Sequence, residues 1–578
     1  MRLHAVAIAF ALLCAGGAHA DELDDIIQAE MKMRQIPGLS LAIIDNGKIV
    51  RAQGYGVTEK GGKTPVSADT LFQAGSVSKP VAALGALHLV EQGKLALDDD
   101  VNARLVTWKV PDNALTAENK VTLRRLLSHS AGLTVHGFPG YAIGAPVPTV
   151  VQVLNGEPPA NTPPVRVDIA PGSKMRYSGG GFTVMQQLVA DVSGQTFPDY
   201  MRDAVLKPLG MNDSSYQQPP TAERARLNAS GHLADRSVVA GRWHVYPEMA
   251  AAGLWTTASD LARFAIGLQQ ALAGSANPVI SADMTRQMLT PQKDSAGLGI
   301  FLEGSGDAQR FSHGGRDEGF DTLLTAFSRT GQGVVIMINT NDNSRMMGRL
   351  ATAVGRAYHW PDADNEQVLK PAAIKLDARS LARYTGRHEL SSNAMGSFDV
   401  QDGRLLGIAG GFPDEVFIPT GTHRFYSTSR NCELLFIFDA HGEVTAVEVK
   451  TKEKTSKAPR IGPLLHTLKA RRDPDPARTR KLQALIAAAA QGSSAFSDSP
   501  LAADGVKRDF GNRPIGELAN ITALTFLDQQ AVAGREIERH GGKVASVLAF
   551  KADGKPQRKL LVYLTADGLF TDYDVVDD

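Results

Sequence analysis

Ser76 and Lys79, in the run Gly75-Ser76-Val77-Ser78-Lys79-Pro80, lie three residues apart at the head of an apolar stretch that continues to Val90. A serine hydroxyl is a weak nucleophile until a base takes its proton. A lysine amine can be that base once its pKa falls from about 10.4. Burial lowers it, because a low-dielectric interior disfavours the ammonium form. At helical spacing the two side chains share one face. The following residues supply the burial: Val77, Val81, Leu84 and Leu87 cover one side, and Ala82, Ala83 and Ala86 much of the rest. A helix apolar nearly all round belongs in an interior. Pro80 falls in or just after the first turn, where a missing N–H does least harm, and Gly93 suits the C-terminal stop. The helix N-terminus favours the negative charge that develops near Ser76. The chemistry this pair supports is acyl transfer through a covalent intermediate.

Ser128-His129-Ser130-Ala131-Gly132 superficially follows the G-x-S-x-G nucleophile elbow. Ser128 replaces the first glycine, and the strand-turn-helix setting of that elbow is absent. Ser130 and His129 are therefore read as structural. There is no H-E-x-x-H, no paired Cys/His ligand set and no phosphate-cradling glycine loop, and His441 and the other histidines are scattered. No metal or organic cofactor is expected.

The 578 residues exceed one typical domain, and 61 basic residues balance 61 acidic ones. That balance gives no reason to expect nucleic acid or an acidic partner. Residues 1–20 read as a secretory signal: Arg2 forms the n-region, Ala5–Leu13 the apolar core, and Ala18-His19-Ala20 the cleavage site. Cys14 raises a lipoprotein alternative, against which Leu13 stands where a small residue is wanted. With cleavage after Ala20, Cys432 is the sole cysteine and no intramolecular disulfide forms. No later apolar run is long enough for a transmembrane helix. The expectation is a soluble exported protein, periplasmic or secreted, of open oligomeric state.

The elements that must position the pair follow from pattern. Leu23–Arg34 reads as a helix, and Ser40–Val50 as a hairpin turning at Asn46-Gly47. Val121–Leu133 is a helix with a Ser/Gly-rich end, and residues 134–170 form a long irregular segment of the kind that lines sites. Pro171–Phe182 leads into a helix reaching Val192, and a capped helix covers about Ala258–Ala273. Arg310–Arg316, Phe320–Phe327 and Gly333–Asn339 are successive strands. Beyond residue 362 the composition changes. Alternating segments at Gly396–Asp402, Arg404–Ala409, Arg424–Ser427, Glu433–Asp439 and Val444–Thr451 predict a small antiparallel β-domain or barrel. A helix over Ala477–Ala490 and strands at Ala519–Leu527, Val544–Lys551, Lys559–Leu564 and Leu569–Val575 predict a last α+β unit, cystatin- or NTF2-like by pattern.

Ser76-Val77-Ser78-Lys79, Tyr177-Ser178-Gly179 and His313-Gly314-Gly315 occur in this order. Together they resemble the three signatures of the penicillin-recognising serine hydrolases, in the class C β-lactamase, D,D-peptidase and related esterase branch. Thr122–His129, Pro208–Met211 and Gly253–Leu261 resemble the family too, so the likeness covers roughly residues 25–360. It implies an antiparallel sheet flanked by helices with a helical subdomain, an α/β (α+β) fold. It implies Ser76 as nucleophile, Lys79 as its proton partner, and Tyr177 as a general base or acid whose pKa must fall. It implies backbone N–H groups of Ser76 and Arg316 as an oxyanion hole. Gly314 and Gly315 then let a substrate approach the strand closely. Two departures stand out. Gly179 replaces an asparagine that contacts a substrate amide, and His313 a lysine that attracts a substrate carboxylate. A histidine with pKa near 6.5 would hold that carboxylate only below about pH 6–7, with Arg316 the other cation within reach. Leu381–Leu390 resembles the start of the lipocalin-like β-domains that follow some of these hydrolases.

The expected organisation is a signal peptide at 1–20, a hydrolase domain at 21–365, a lipocalin-like β-domain at 375–465 and a small α+β domain at 476–578. The expected activity is hydrolysis of a short ester, a D-amino-acid peptide or a β-lactam, with small-molecule or peptide substrates. The alternative is a non-catalytic cell-envelope ligand-binding or scaffold protein that keeps the fold.

Overall fold

Residues 22–34 form helix α1, and Asn46 and Gly47 then turn strand β1 (Gly38–Asp45) back into β2 (Lys48–Gly56). Both turn residues have positive φ, 50° and 69°, as a two-residue turn matched to the strand twist requires. In this computed structural model the chain divides into two units, residues 1–365 and 366–578. The structure describes residues 22–341 and 345–361 of the first. In the second it describes 373–577, except 392–393, 402, 410–411, 428–431, 452–454, 511–517, 519–520, 532–537, 540–541 and 555–557. The signal-peptide expectation lies outside the described residues.

The first unit is built on a six-stranded antiparallel sheet. Its later strands are β3 (Phe301–Glu303), β4 (Arg310–Asp317), β5 (Phe320–Phe327) and β6 (Gly333–Ile338), in the order β2-β1-β6-β5-β4-β3. The N-terminal hairpin thus joins the last strand, with Leu39 opposite Ile338 and Ile43 opposite Val334. Alternate residues feed two cores. On one face Leu41, Ile43, Val334 and Ile336 pack on Leu23 and Ile27 of α1 and on Met346, Leu350 and Val354 of a C-terminal helix. On the other, Ala42, Leu324, Val335 and Met337 join the core that holds helix α2 (Ser78–Glu91). Val77, Val81, Leu84 and Leu87 are fully buried there. Each such side chain contributes about 1.5–3 kcal/mol. Around α2 lie α3 (Leu123–Leu127, capped by Thr122), α4 (Gly179–Ser193, capped by Ser178), the short α5 (Met249–Ala252) and α6 (Ala258–Leu272, capped by Thr257).

In the second unit eight strands close an antiparallel barrel, Gly386–Ser391 pairing with Thr455–Gly462. Phe398, Phe417, Phe425 and Phe436 share its core. A helix over Pro476–Gln491, started by Asp475 and stopped by Gly492 in the left-handed region, follows. Its Leu482, Leu485 and Ile486 pack on Leu548, Phe550 and Leu560 of a final antiparallel sheet. Among the described residues no helix is long and apolar enough to cross a membrane.

Candidate active site

Ser76 is the one residue of 71–87 that is not buried. It stands on a 3-10 turn, Gly75–Val77, that leads into α2. Tyr216 Oη donates to Ser78 O (2.6 Å), and Leu254 N–H donates to Ser78 Oγ (3.0 Å), which pins the start of the helix. Lys79 Nζ donates to Ser76 Oγ at 2.9 Å and to Ala251 O at 2.8 Å. Ala251 is in turn placed by α4: Gln186 accepts from Ala250 N–H and donates to Pro247 O. Lys79 is 1% exposed, and burial lowers its pKa to about 7 against an opposing pull from Asp317.

Tyr177 precedes the Ser178 cap of α4, and its phenol hydrogen-bonds with Ser76. Arg176 N–H donates to His129 O (2.8 Å), which ties this segment to the end of α3. Lys79 Nζ lies 4.9 Å from the Tyr177 ring centre. The expected fall in the Tyr177 pKa is not what the structure holds. Burial pushes the phenol up, and only its bond to Ser76 opposes. Burial thus favours the neutral phenol at Tyr177, the form that can give a proton.

Strand β4 runs past the end of β3, which pairs only as far as Phe301 opposite Ser312. The turn bearing Ser76 packs against the continuation. A Cβ on Gly75 would lie 2.3 Å from Arg316 N, and one on Gly315 would lie 2.0 Å from Ala74 O and 3.1 Å from Ser76 N. Backbone-to-backbone contact this close requires glycine at both positions, and Gly75 also has φ 52°. The space freed at Gly315 is thus filled by the turn bearing Ser76, not by substrate. Gly314 differs: nothing lies within 4 Å of its missing Cβ.

His313 also departs from expectation. It is 3% exposed, its Nδ1 donates to Gly314 O (2.6 Å), and its ring lies 5.4 Å from Phe301. Burial and then Lys79 lower its pKa to about 3. It is neutral through the neutral range and cannot hold a carboxylate by charge. At Gly179 the space an asparagine would need is occupied: a Cβ would meet the Phe138 ring at 3.0 Å and His136 O at 3.1 Å. Gly179 is buried and offers a substrate no side chain.

The structure adds a residue that sequence reasoning set aside as structural. His129 stacks on Tyr177 with ring centres 4.2 Å apart and accepts the Ser178 N–H at Nδ1. Its neutral proton therefore sits on Nε2, which is buried without a protein partner. Burial, then Lys79, holds it well below its ordinary pKa. Its signals in the chain were a polar group directly after an apolar helix and, in the backbone, a positive φ of 53°. Ser130, by contrast, is enclosed and bonded to Ser128. Glu248 and Asp317 are buried beside the site, and burial pushes Glu248 to about 8 and Asp317 well above its usual range. Among the described residues no group of three or more His, Cys, Asp or Glu is placed to hold a metal.

With this geometry in view, the family model for Beta-lactamase matches residues 23–359, more than half of the chain. The chain belongs to the Beta-lactamase family. Penicillin-binding protein 4* of Bacillus subtilis (strain 168) is 24% identical over 442 residues, which cover 72% of this chain and 93% of that protein. Protein flp of Staphylococcus aureus (strain N315) is 25% identical over 214 residues, 36% of this chain. The match spans 41% of the length of flp. The octameric penicillin-binding protein homologue from Pyrococcus abyssi is similar at 21% identity and a TM-score of 0.49, over 76% of this chain and 99% of that one.

Proposed function

We propose that this Beta-lactamase family member is an exported serine hydrolase that opens an ester or amide through an acyl-enzyme on Ser76. The observation that carries the reading is the 2.9 Å contact between a partly exposed hydroxyl and a buried amine whose pKa is about 7. Neutral Lys79, oriented by Ala251 O, takes the Ser76 proton as Oγ attacks the carbonyl carbon. The backbone N–H groups of Ser76 and Arg316 receive the oxyanion. Such donors are worth about 3 kcal/mol each where charge develops. The neutral Tyr177 phenol gives its proton to the leaving group as the acyl bond breaks and regains one from the Lys79 ammonium. Water then attacks the acyl carbon, giving up a proton through the same groups, and the acid leaves with Ser76 restored. Short esters, D-amino-acid peptides and β-lactams are the candidate substrates.

Labelling the purified protein with a fluorophosphonate and locating the adduct by mass spectrometry tests this. An adduct on Ser76, lost in Ser76→Ala together with hydrolysis of 4-nitrophenyl butyrate, is the expected result. A protein that neither labels nor turns over any ester would instead be a ligand-binding protein on this fold.

A further inference from the structure

We propose that this site selects substrates that carry no charge near the scissile bond and turns away those bearing a carboxylate there. The inference rests on the serine hydrolase reading and names its substrate class.

The wall of the site is aromatic and uncharged. His313 is enclosed between Phe301 and Tyr177, at 5.4 and 6.1 Å between ring centres, with its one N–H bound to Gly314 O. His129 is enclosed by Tyr177 and Phe182. Phe138 fills the space beside Gly179, so no amide donor stands there. On the open face of β4 the residue next to His313 is Gly314, which presents no hydroxyl and leaves room.

Arg316 is the exposed cation at the Gly314 end of this strand, and its guanidinium makes two bonds to the buried Asp321 carboxylate, at 2.7 and 2.8 Å. A doubly bonded arginine offers little of its field to a second carboxylate. Lys79 Nζ is already committed to Ser76 and Ala251. Glu248 and Asp317, both buried, add no positive charge. His136 stands at the exposed rim, where partial burial and then Lys79 hold it below its ordinary pKa. A carboxylate entering here sheds hydration and finds Arg316 and Lys79 already bonded within the protein, so its desolvation goes uncompensated. A neutral aliphatic or aromatic acyl group loses little hydration and gains contact with Phe138, Phe301 and the open space at Gly314.

Two esters with one leaving group test this: 4-nitrophenyl butyrate and 4-nitrophenyl hydrogen succinate, at pH 7.5. The expected kcat/KM is at least 100-fold higher for the butyrate. The ratio should change less than twofold between 0.05 and 0.5 M salt, because no free charge is being screened. Asp321→Asn releases Arg316 and should narrow the ratio at least tenfold, and adding Arg316→Ala should restore it. Gly314→Lys sets an ammonium in the open position and should narrow it likewise, which serves if Asp321→Asn does not fold. A wild-type ratio within threefold of unity, or one favouring the succinate, overturns the selectivity. If labelling of Ser76 persists in that case, the hydrolase reading stands without it. If neither ester is turned over and Ser76 does not label, the hydrolase reading fails and takes the selectivity with it.

Discussion

The candidate site of the first unit and the barrel interior of the second bury the same kind of group in the same kind of surroundings. His313 lies among Phe301 and Tyr177, and His388, fully buried, meets Phe398 and Phe436 edge-on at 5.2 and 6.2 Å. Burial lowers their pKa values to about 3 and about 4. Each region also holds a serine hydroxyl. In the barrel, Ser427 is fully enclosed and bonded to Glu415. In the first unit, Ser76 reaches the surface and has a buried amine behind it. A perturbed pKa in an aromatic enclosure is therefore common to both and marks neither as reactive. What separates them is access to solvent on one side of a hydroxyl and a proton acceptor on the other.

The largest contrast comes from the two serines. Ser76→Ala should lower kcat by at least ~10⁴-fold, the scale on which losing a nucleophile acts, and shift stability by less than about 1 kcal/mol. Ser427→Ala should leave kcat on 4-nitrophenyl butyrate unchanged and cost about 1–3 kcal/mol, because a buried bond to Glu415 is lost. Steady-state kinetics and thermal unfolding on both variants read this. If Ser76→Ala destabilised more than Ser427→Ala, the first would be a packing residue and the contrast would collapse.

Lys79→Met carries the comparison to the base. Turnover should fall at least ~10³-fold, while stability should rise by about 1–3 kcal/mol at pH 6, since an apolar side chain replaces a buried charge. The sign follows from linkage. The folded pKa of about 7 lies below the unfolded value of about 10.4, so between them the unfolded chain binds more protons. Wild-type stability therefore rises from pH 7 towards 10, and the gain from methionine shrinks over that window. Wild-type kcat/KM on the neutral ester should rise as pH passes through about 7. A variant less stable than wild type at pH 6 would mean that the bonds to Ser76 and Ala251 outweigh the burial.

Within the site, the two glycines of β4 should respond differently. Gly315→Ala drives a methyl into Ala74 O, 2.0 Å away, and should displace the turn carrying Ser76. The expected result is a loss of about 1–3 kcal/mol with a fall in kcat of roughly 100-fold. Gly314→Ala enters open space and should stay within about 0.5 kcal/mol. Equal effects at the two positions would show that the strand and the turn are not in contact.

The chain made some of this legible and hid the rest for physical reasons. The Asn46-Gly47 turn and the cap before Ala258 act within a few residues, so local chemistry announces them. Ser76 and Lys79 are likewise one helical turn apart. The strands Phe412–Gly421 and Thr455–Gly462 escaped notice in the sequence, carrying Pro413, Pro419 and Pro459, which break the usual strand pattern. Gly386–Ser391 was noticed only as part of a resemblance. His129 reads as structural in the chain because its segment does not fit a nucleophile elbow, and the partner that gives it a place in the site, Tyr177, comes from a distant segment. The charge of His313 and the acidity of Tyr177 are not legible in the chain because reference pKa values assume water, and the burial that lowers the one and raises the other comes from packing of distant segments.

The smallest expected effect falls on the barrel histidine and is the closest test of the contrast. His388→Leu exchanges a buried imidazole for an apolar group of similar size among Phe398 and Phe436. At pH 7.5 both are uncharged, so stability should change by about 1 kcal/mol or less. Below that, linkage separates them. Unfolded histidine takes up its proton near pH 6.5, and folded His388 only near 4. Wild type therefore loses stability as pH falls through this window, and the leucine variant is spared that loss. Calorimetry should show the second unit of the variant melting higher at pH 5 than that of wild type, and equally at 7.5. The kcat/KM on 4-nitrophenyl butyrate should be unchanged, whereas His313→Leu should reduce it by removing the ring that packs beside Tyr177. A drop in activity with His388→Leu would place the barrel interior in the reaction. A melting point that ignores pH would mean His388 is charged or solvated in the folded state, and the likeness of the two enclosures would be false.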